Sequence, residues 1–178
     1  MKKTLILFST TDGHTKTICE KIYSLLRNKY SVELISINHS ESINVNEYGN
    51  IIIGASIRYG KHSHLIHNFI KSNKTKLENI KTAFFSVNVV ARKLEKNSSV
   101  TNPYLKKFLS ALDWKPNKSA VFAGKIDYPS YNFIDKQMIR MIMYLTKGPT
   151  DTSKSYEFTD WKKVIEFTND LENLISSN

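Results

Sequence analysis

Cysteine is nearly missing from this chain: Cys19 is the only one in 178 residues. One thiol cannot make an intrachain disulfide, a Cys-x-x-Cys redox pair or a cysteine-rich metal site, and a reducing compartment fits. Arginine is scarce as well, since the 26 basic residues are 22 Lys and only 4 Arg. No stretch approaches the roughly 18 consecutive apolar residues of a membrane-crossing helix. The apolar run at residues 5–8 is too short for a signal-peptide core and lacks a small-residue cleavage site. There is no internal repeat, no Gly-x-Gly-x-x-Gly fingerprint, no Gly-Lys-Ser/Thr phosphate loop and no Gly-x-Ser-x-Gly elbow. The last absence removes the usual setting of a Ser–His–Asp nucleophile.

What is present is enough for a folded core, with 40% hydrophobic and 11% aromatic residues. The length suits one domain spanning residues 1–178. The formal net charge is +10, which points to anionic partners such as phosphate, nucleic acid, acidic lipid or a carboxylate-bearing substrate. Residues 1–149 carry net +13 and residues 150–178 net −3. Between Arg58 and Lys107 stand 11 basic residues against Glu78 and Glu95. Lysine bias, together with 19 Ile and 16 Asn, reads as compositional drift. With no recognition motif beside the charge, a nucleic-acid partner is not expected.

Short apolar runs alternate with helical periodicity. Residues 5–8, the segment from Val32 to Ile37, residues 51–53, residues 82–87 and residues 120–123 read as five strands. Ile18, Ile22, Leu25 and Leu26 recur at helical spacing between the first two. Leu65, Ile66, Phe69 and Ile70 mark another helix. Thr101-Asn102-Pro103 offers a cap and a first-turn proline for the helix that follows. Trp161, Val164, Ile165, Thr168, Leu171, Leu174 and Ile175 form a closing amphipathic helix. Strands joined by helices predict a parallel α/β sheet, with ligands beyond the strands' carboxyl ends. The 29 residues from Gly124 to Thr152 lie between the fifth strand and the last helix, too long for an ordinary loop. Within them Ile134, Met138, Met141, Ile142 and Leu145 read as one apolar helix face, with Lys136, Arg140 and Lys147 beside it.

After the first strand comes Ser9-Thr10-Thr11-Asp12-Gly13-His14-Thr15, which leads straight into a helix. Hydroxyls, a glycine and free helix N-terminal amides suit a phosphate. This loop resembles the Ser/Thr-x-Thr-Gly-x-Thr loop of flavodoxins, with Asp12 inserted. With Gly54-Ala55-Ser56-Ile57-Arg58-Tyr59-Gly60, Ser86-Val87-Asn88-Val89-Val90-Ala91-Arg92-Lys93, and Thr150-Asp151-Thr152 followed by Tyr156 and Thr159-Asp160-Trp161, it resembles the quinone-linked protoporphyrinogen oxidase branch. The resemblance runs over roughly residues 3 to 175.

That resemblance implies a flavodoxin-like three-layer sandwich, a five-stranded parallel sheet of order 2-1-3-4-5 with an insert near residues 125–150. It implies FMN, its phosphate held by Ser9, Thr10, Thr11, Gly13, His14 and Thr15. The ring would lie along Ser86, Val87, Asn88, Val89, Val90 and Ala91, with Gly124 nearby. Tyr128 and Tyr131 either close the far side or pack within their loop. The implied activity is oxidation of protoporphyrinogen IX in heme biosynthesis, with electrons passed to menaquinone or ubiquinone. Arg58, Arg92 and Lys93 are candidates for the substrate's propionates, because guanidinium suits carboxylate. No residue is marked as catalytic acid or base. The insert would cover the porphyrin, rest on an anionic membrane or pack on its own sheet. Location at the cytoplasmic face of the bacterial inner membrane follows from the resemblance alone.

Two other flavin readings remain, an electron-carrying flavodoxin and an NAD(P)H:quinone oxidoreductase. Electron-carrying flavodoxins are strongly acidic, so a charge of +10 speaks against the first. His62, His64 and His67 have no nearby Cys or carboxylate to complete a metal set, and no metal is expected. Cys19 falls on the apolar side of its helix, where a core role is expected.

Overall fold

The computed structural model describes residues 2–177. Its elements in chain order are β1 (Lys3–Ser9), α1 (His14–Leu26), β2 (Val32–Ser36), β3 (Tyr48–Arg58), β4 (Lys61–His62), α2 (His64–Ser72), α3 (Lys74–Glu78), β5 (Lys81–Val87), α4 (Pro103–Leu112), β6 (Lys118–Phe122), β7 (Lys125–Asp127), α5 (Phe133–Leu145), β8 (Ser155–Glu157) and α6 (Trp161–Ser176). The main sheet runs β2-β1-β3-β5-β6, all parallel. This is the expected order, with the two-residue β4 added antiparallel to the end of β3. Parallel neighbours need crossovers, and the helices supply them.

Side-chain alternation along the strands builds two cores, one on each face of the sheet. Leu5, Leu7, Ile51, Ile53 and Phe84 face α2, α3 and α4. Ile6, Phe8, Ile52, Ala83 and Phe85 face α1 and α6, meeting Ile18, Ile22, Val164, Phe167 and Leu171. Cys19 is fully buried in that second core, and burial pushes its thiol upward, so it is a packing residue. Gly54 lets these layers approach: a Cβ there would stand 2.4 Å from the Phe85 ring and 3.0 Å from Cys19 Sγ. α4 begins as its sequence predicts, with Asn102 accepting from Leu105 N–H and Pro103 in the first turn.

Three parts differ from the expectation. β3 continues past the Ile51–Ile53 run to Arg58 and turns back through Tyr59 and Gly60 onto β4. Both turn residues have positive φ, 49° and 76°, as a two-residue hairpin of this hand requires. The stretch after β6 is ordered as β7, a short turn, α5 and β8, with β7 and β8 paired antiparallel. Finally, α5 does not present one apolar face. Met138, Ile139 and Met143 turn inward, while Phe133, Ile134, Met141, Tyr144 and Leu145 remain exposed.

Candidate active site

A cavity of about 320 Å³ opens at the carboxyl ends of β1, β3 and β5, where α/β sheets bind ligands. Its floor is the loop after β1, with Thr10, Thr11, Asp12, His14 and Thr15. One side is Val87, Asn88, Val89, Val90 and Arg92; another is Arg58 and Tyr59; Gly124 and Tyr131 close the edge. The roof is α5 and its end, through Met138, Ile139, Ile142, Met143 and Thr146. The insert thus lies over the cavity, one of the placements expected for it, and Arg58 in the β3–β4 turn reaches the same site.

The floor fits a phosphate. Gly13 caps α1 with a left-handed φ of 83° and supplies no side chain, so no side-chain acceptor caps the first-turn amides. A Cβ on Gly13 would meet nothing within 4 Å, so its backbone conformation, not lack of space, favours glycine. The hydroxyls of Thr10 and Thr15 are buried without a hydrogen-bond partner among the described residues. Buried polar groups normally find partners, so two orphan hydroxyls beside an uncapped helix start are what an anion would satisfy. Asp12 does not spoil this arrangement, because Arg58 pairs with it at 3.3 Å.

His14 is oriented by its neighbours. Its Nε2 lies 2.6 Å from Thr159 Oγ1, and that hydroxyl donates to the Ala123 carbonyl at 2.8 Å. A carbonyl only accepts, so the hydroxyl's hydrogen is spent there and His14 must donate from Nε2. Burial lowers the His14 pKa; Glu157 raises it and Lys125 lowers it.

Behind the 87–92 wall runs a buried hydrogen-bond line. Asn102 Nδ2 donates to Asn88 Oδ1 at 3.2 Å, and Asn88 Nδ2 donates to Ser86 Oγ at 3.1 Å. Asn88 Oδ1 also accepts from Ala91 N–H. Ser86 Oγ lies 2.9 Å from His62 Nε2, which leaves the serine hydrogen for an unprotonated Nε2. His62 sits against the Phe84 and Phe108 rings. Burial drives its pKa down to about 3, so it is neutral at physiological pH.

Several of the anticipated residues stand behind the wall instead of in it. Ser9, Ser86 and Ala91 are buried and shape the loops from below. Lys93 ends the 3-10 turn Val89–Arg92 outside the cavity wall. Tyr128 is fully buried, donating to the Pro149 carbonyl at 2.9 Å and packing with Tyr131, Met143 and Ile126. Tyr131 does line the cavity, and its hydroxyl accepts from Asp127 N–H.

α5 is pinned at both ends by arginines from the sheet side. At its start, Asp135 accepts from Arg58 at 2.5 Å, from Tyr59 OH at 2.7 Å and from Asn132 Nδ2 at 2.8 Å. Tyr59's hydrogen bond, then Arg58 and Asn132 against some desolvation, hold the Asp135 carboxyl below the usual range. At its end, Arg92 donates to the Thr146 carbonyl, the Thr146 hydroxyl and the Val89 carbonyl.

Residues 5–153 match the flavodoxin domain family. This chain belongs to that family. It is 43% identical over 171 residues to the protoporphyrinogen IX dehydrogenase [quinone] of Leishmania major, covering 95% of this chain and 74% of that protein. It is 40% identical over 173 residues to the protein of that name from Escherichia coli strain K12, covering 97% and 96%. Among solved structures it resembles oxidised Flavodoxin 1 from Bacillus cereus, with TM-score 0.55 and 16% identity over 97% of this chain and 98% of that one. It also resembles a flavoprotein in complex with FMN from Lactobacillus acidophilus, with TM-score 0.50 and 18% identity over 68% and 93%. These two likenesses bear on the fold, which is flavodoxin-like.

Proposed function

We propose that this flavodoxin-family oxidoreductase binds FMN and oxidises protoporphyrinogen IX to protoporphyrin IX, with a membrane quinone as electron acceptor. The observation that carries the reading is the pair of orphan hydroxyls, Thr10 and Thr15, at the uncapped start of α1. They open into an apolar-roofed cavity, in a chain about 40% identical to proteins named for this reaction.

Protoporphyrinogen must lose six hydrogens, so each turnover to protoporphyrin consumes three quinones and yields three quinols. A bound flavin supplies two-electron hydride chemistry. The chain's own residues do the rest. Thr10, Thr15 and the α1 amides would hold the phosphate, with His14 donating sideways to Thr159 to keep its ring upright. Asn88, fixed from behind by Ser86 and Asn102, would hold the Val89–Val90 backbone against the ring. The α5 side chains Ile139, Ile142 and Met143 would give the bound ring an apolar cover.

The exposed residues Phe133, Ile134, Met141, Tyr144 and Leu145, with Lys136, Arg140 and Lys147 nearby, suit an anionic bilayer surface. We infer peripheral contact there, at the cytoplasmic face of a bacterial inner membrane, which gives access to quinone. No helix among the described residues is long and apolar enough to cross a membrane.

The purified protein is expected to carry a flavin absorbance at about one FMN per chain. Anaerobic protoporphyrinogen with menaquinone is then expected to yield fluorescent protoporphyrin. A colourless protein that cannot be reconstituted, or fluorescence with no dependence on quinone, would defeat the proposal.

A further inference from the structure

Only four arginines occur in the chain, and Arg58 and Arg92 both line the cavity. They resemble each other in position, each gripping one end of α5, yet their electrostatic situations are opposite. Arg58 is already neutralised. One of its nitrogens faces the Asp12 carboxylate at 3.3 Å and another the Asp135 carboxylate at 2.5 Å. Its guanidinium also lies over the Tyr59 and Tyr131 rings, 5.3 and 5.8 Å from their centroids. Two carboxylates on one cation leave a local excess of negative charge, so a third carboxylate arriving there would be repelled.

Arg92 has no such partner. Its three hydrogen bonds go to neutral oxygens, those of Val89 and Thr146. Among the described residues the only charge-bearing group that acts on it is Tyr128, with no Asp or Glu beside it. Of the five guanidinium N–H donors, at least two have no partner among the described residues. The side chain is partly covered, and burial lowers its pKa. A partly desolvated cation without a counter-charge attracts an anion more strongly than a solvated one. Its surroundings complete the picture, since Ile139, Ile142 and Met143 line the same cavity. An apolar body with a carboxylate on its edge meets both needs at once.

We propose that Arg92 selects the carboxylate-bearing substrate of this cavity, and that Arg58 does not. The assignment rests on the reading of the site as a porphyrinogen dehydrogenase and names the residue that recognises the substrate's acid side chain. The competing explanation is that Arg92 only caps the C-terminal end of α5, where a cation is favourable.

The two roles separate when a charged ligand is compared with its uncharged twin. Protoporphyrin IX and its dimethyl ester share the macrocycle and differ only in the carboxylates. Each is titrated into the cofactor-loaded full-length protein in detergent, following porphyrin fluorescence. The wild-type protein is expected to prefer the diacid. Arg92→Gln should cut that preference about ten-fold, the loss of one charge-assisted contact. Arg58→Gln uncovers Asp12 and Asp135, so it should weaken both ligands and lower the ratio by clearly less than Arg92→Gln does. A preference that survives in Arg92→Gln, or that vanishes in Arg58→Gln, would overturn the assignment. If the glutamine variant does not fold, Arg92→Lys keeps the charge and must retain a measurable preference; parity of diacid and diester in that variant overturns it as well. Failure of the parent reading looks different: the wild-type enzyme would then oxidise neither protoporphyrinogen nor its dimethyl ester with menaquinone. Oxidation of both without preference would sink the Arg92 assignment alone.

Discussion

Behind the sheet-side wall of the cavity, Asn102, Asn88, Ser86 and His62 pass hydrogen bonds along a buried line. Across the cavity, α5 is held mainly at its two ends, by Arg58 on Asp135 and Arg92 on Thr146. Its own small core is four buried residues, Ile126, Tyr128, Tyr131 and Met143. The first wall is locked by neutral, mutually satisfied groups inside the fold. The roof is attached by charges at a partly wet boundary. Buried networks are costly to break because every lost partner leaves another group unsatisfied. Boundary ion pairs are weaker and answer to pH and salt. A rigid wall facing an adjustable roof lets a large, flat substrate enter without disturbing the groups that position a cofactor.

The sharpest way to break this contrast is on the wall. Asn88→Leu removes partners from Ser86, Asn102 and the Ala91 amide together. A loss on the order of 2 kcal/mol is expected from three buried hydrogen bonds at about 0.5–1.5 each, because the three groups keep second partners in His62, the Lys96 carbonyl and the Asn88 backbone carbonyl. Urea unfolding measures it. A loss below about 1 kcal/mol would mean the line is not what holds the wall.

Next in size is a pH effect from the same line. His62 is neutral in the fold, with its pKa driven to about 3 by burial, against about 6.5 in an unfolded chain. Between those values the unfolded state binds a proton that the folded state refuses. Stability therefore falls as pH drops below about 6.5 and continues to fall toward 3. His62→Gln has no such proton to bind. Between pH 6.5 and 5 the wild-type chain should lose about 1.5 kcal/mol more than the variant. Parallel curves for the two proteins would show that His62 is solvated or already charged.

The roof should respond locally. Arg58→Met takes the guanidinium from Asp135 and Asp12, and the first turn of α5 should loosen. Amide exchange over residues 133–138 is expected to rise about ten-fold, with β1 and β5 amides little changed. Acid should mimic the substitution. Asp135's lowered carboxyl pKa favours the docked form above the ordinary carboxylate range, and that contribution disappears as pH falls through its folded value. Equal acceleration throughout the sheet would mean that the roof and wall unfold as one unit.

The sheet and its order were legible because each central strand announces itself as a short apolar run, as in Ile51-Ile52-Ile53. The α4 start was legible from Asn102-Pro103, where the cap chemistry is local. The phosphate loop was legible because its hydroxyls, Gly13 and the following helix are contiguous. The extension of β3 was not, because Ser56 to Gly60 has no alternation to read. β7 and β8, at three residues each, are too short to carry a pattern. The roof's pins were hidden for another reason: Asp12 and Asp135 are 46 and 77 residues from Arg58, and long-range ion pairs leave no local signature. The same blindness made Arg58 and Arg92 look equivalent. Only the partners around them separate the two.

The smallest expected effect on stability concerns the outer side of α5. Sequence periodicity grouped Ile134, Met138, Met141, Ile142 and Leu145 on one face, because apolar residues surround most of this helix. In the fold Met138 lines the cavity, while Met141 and Leu145 are 57% and 71% exposed. Replacing both by Gln removes almost no buried contact, so stability should move by less than about 0.5 kcal/mol. Met143→Gln, two residues from each and on the opposite side of the helix, is 1% exposed; it buries an amide in the small core and should cost several times more. If the outer residues serve a bilayer, the Met141→Gln, Leu145→Gln pair should nevertheless cut binding to vesicles containing anionic lipid. Each side chain loses the apolar area it would place among acyl chains. Flotation measures that loss and urea unfolding measures the stability. Unchanged flotation with unchanged stability would leave the exposed apolar side without a membrane role. Reduced flotation without loss of stability would separate the outer surface of α5 from its inner one, two functions carried by opposite sides of a single 13-residue helix.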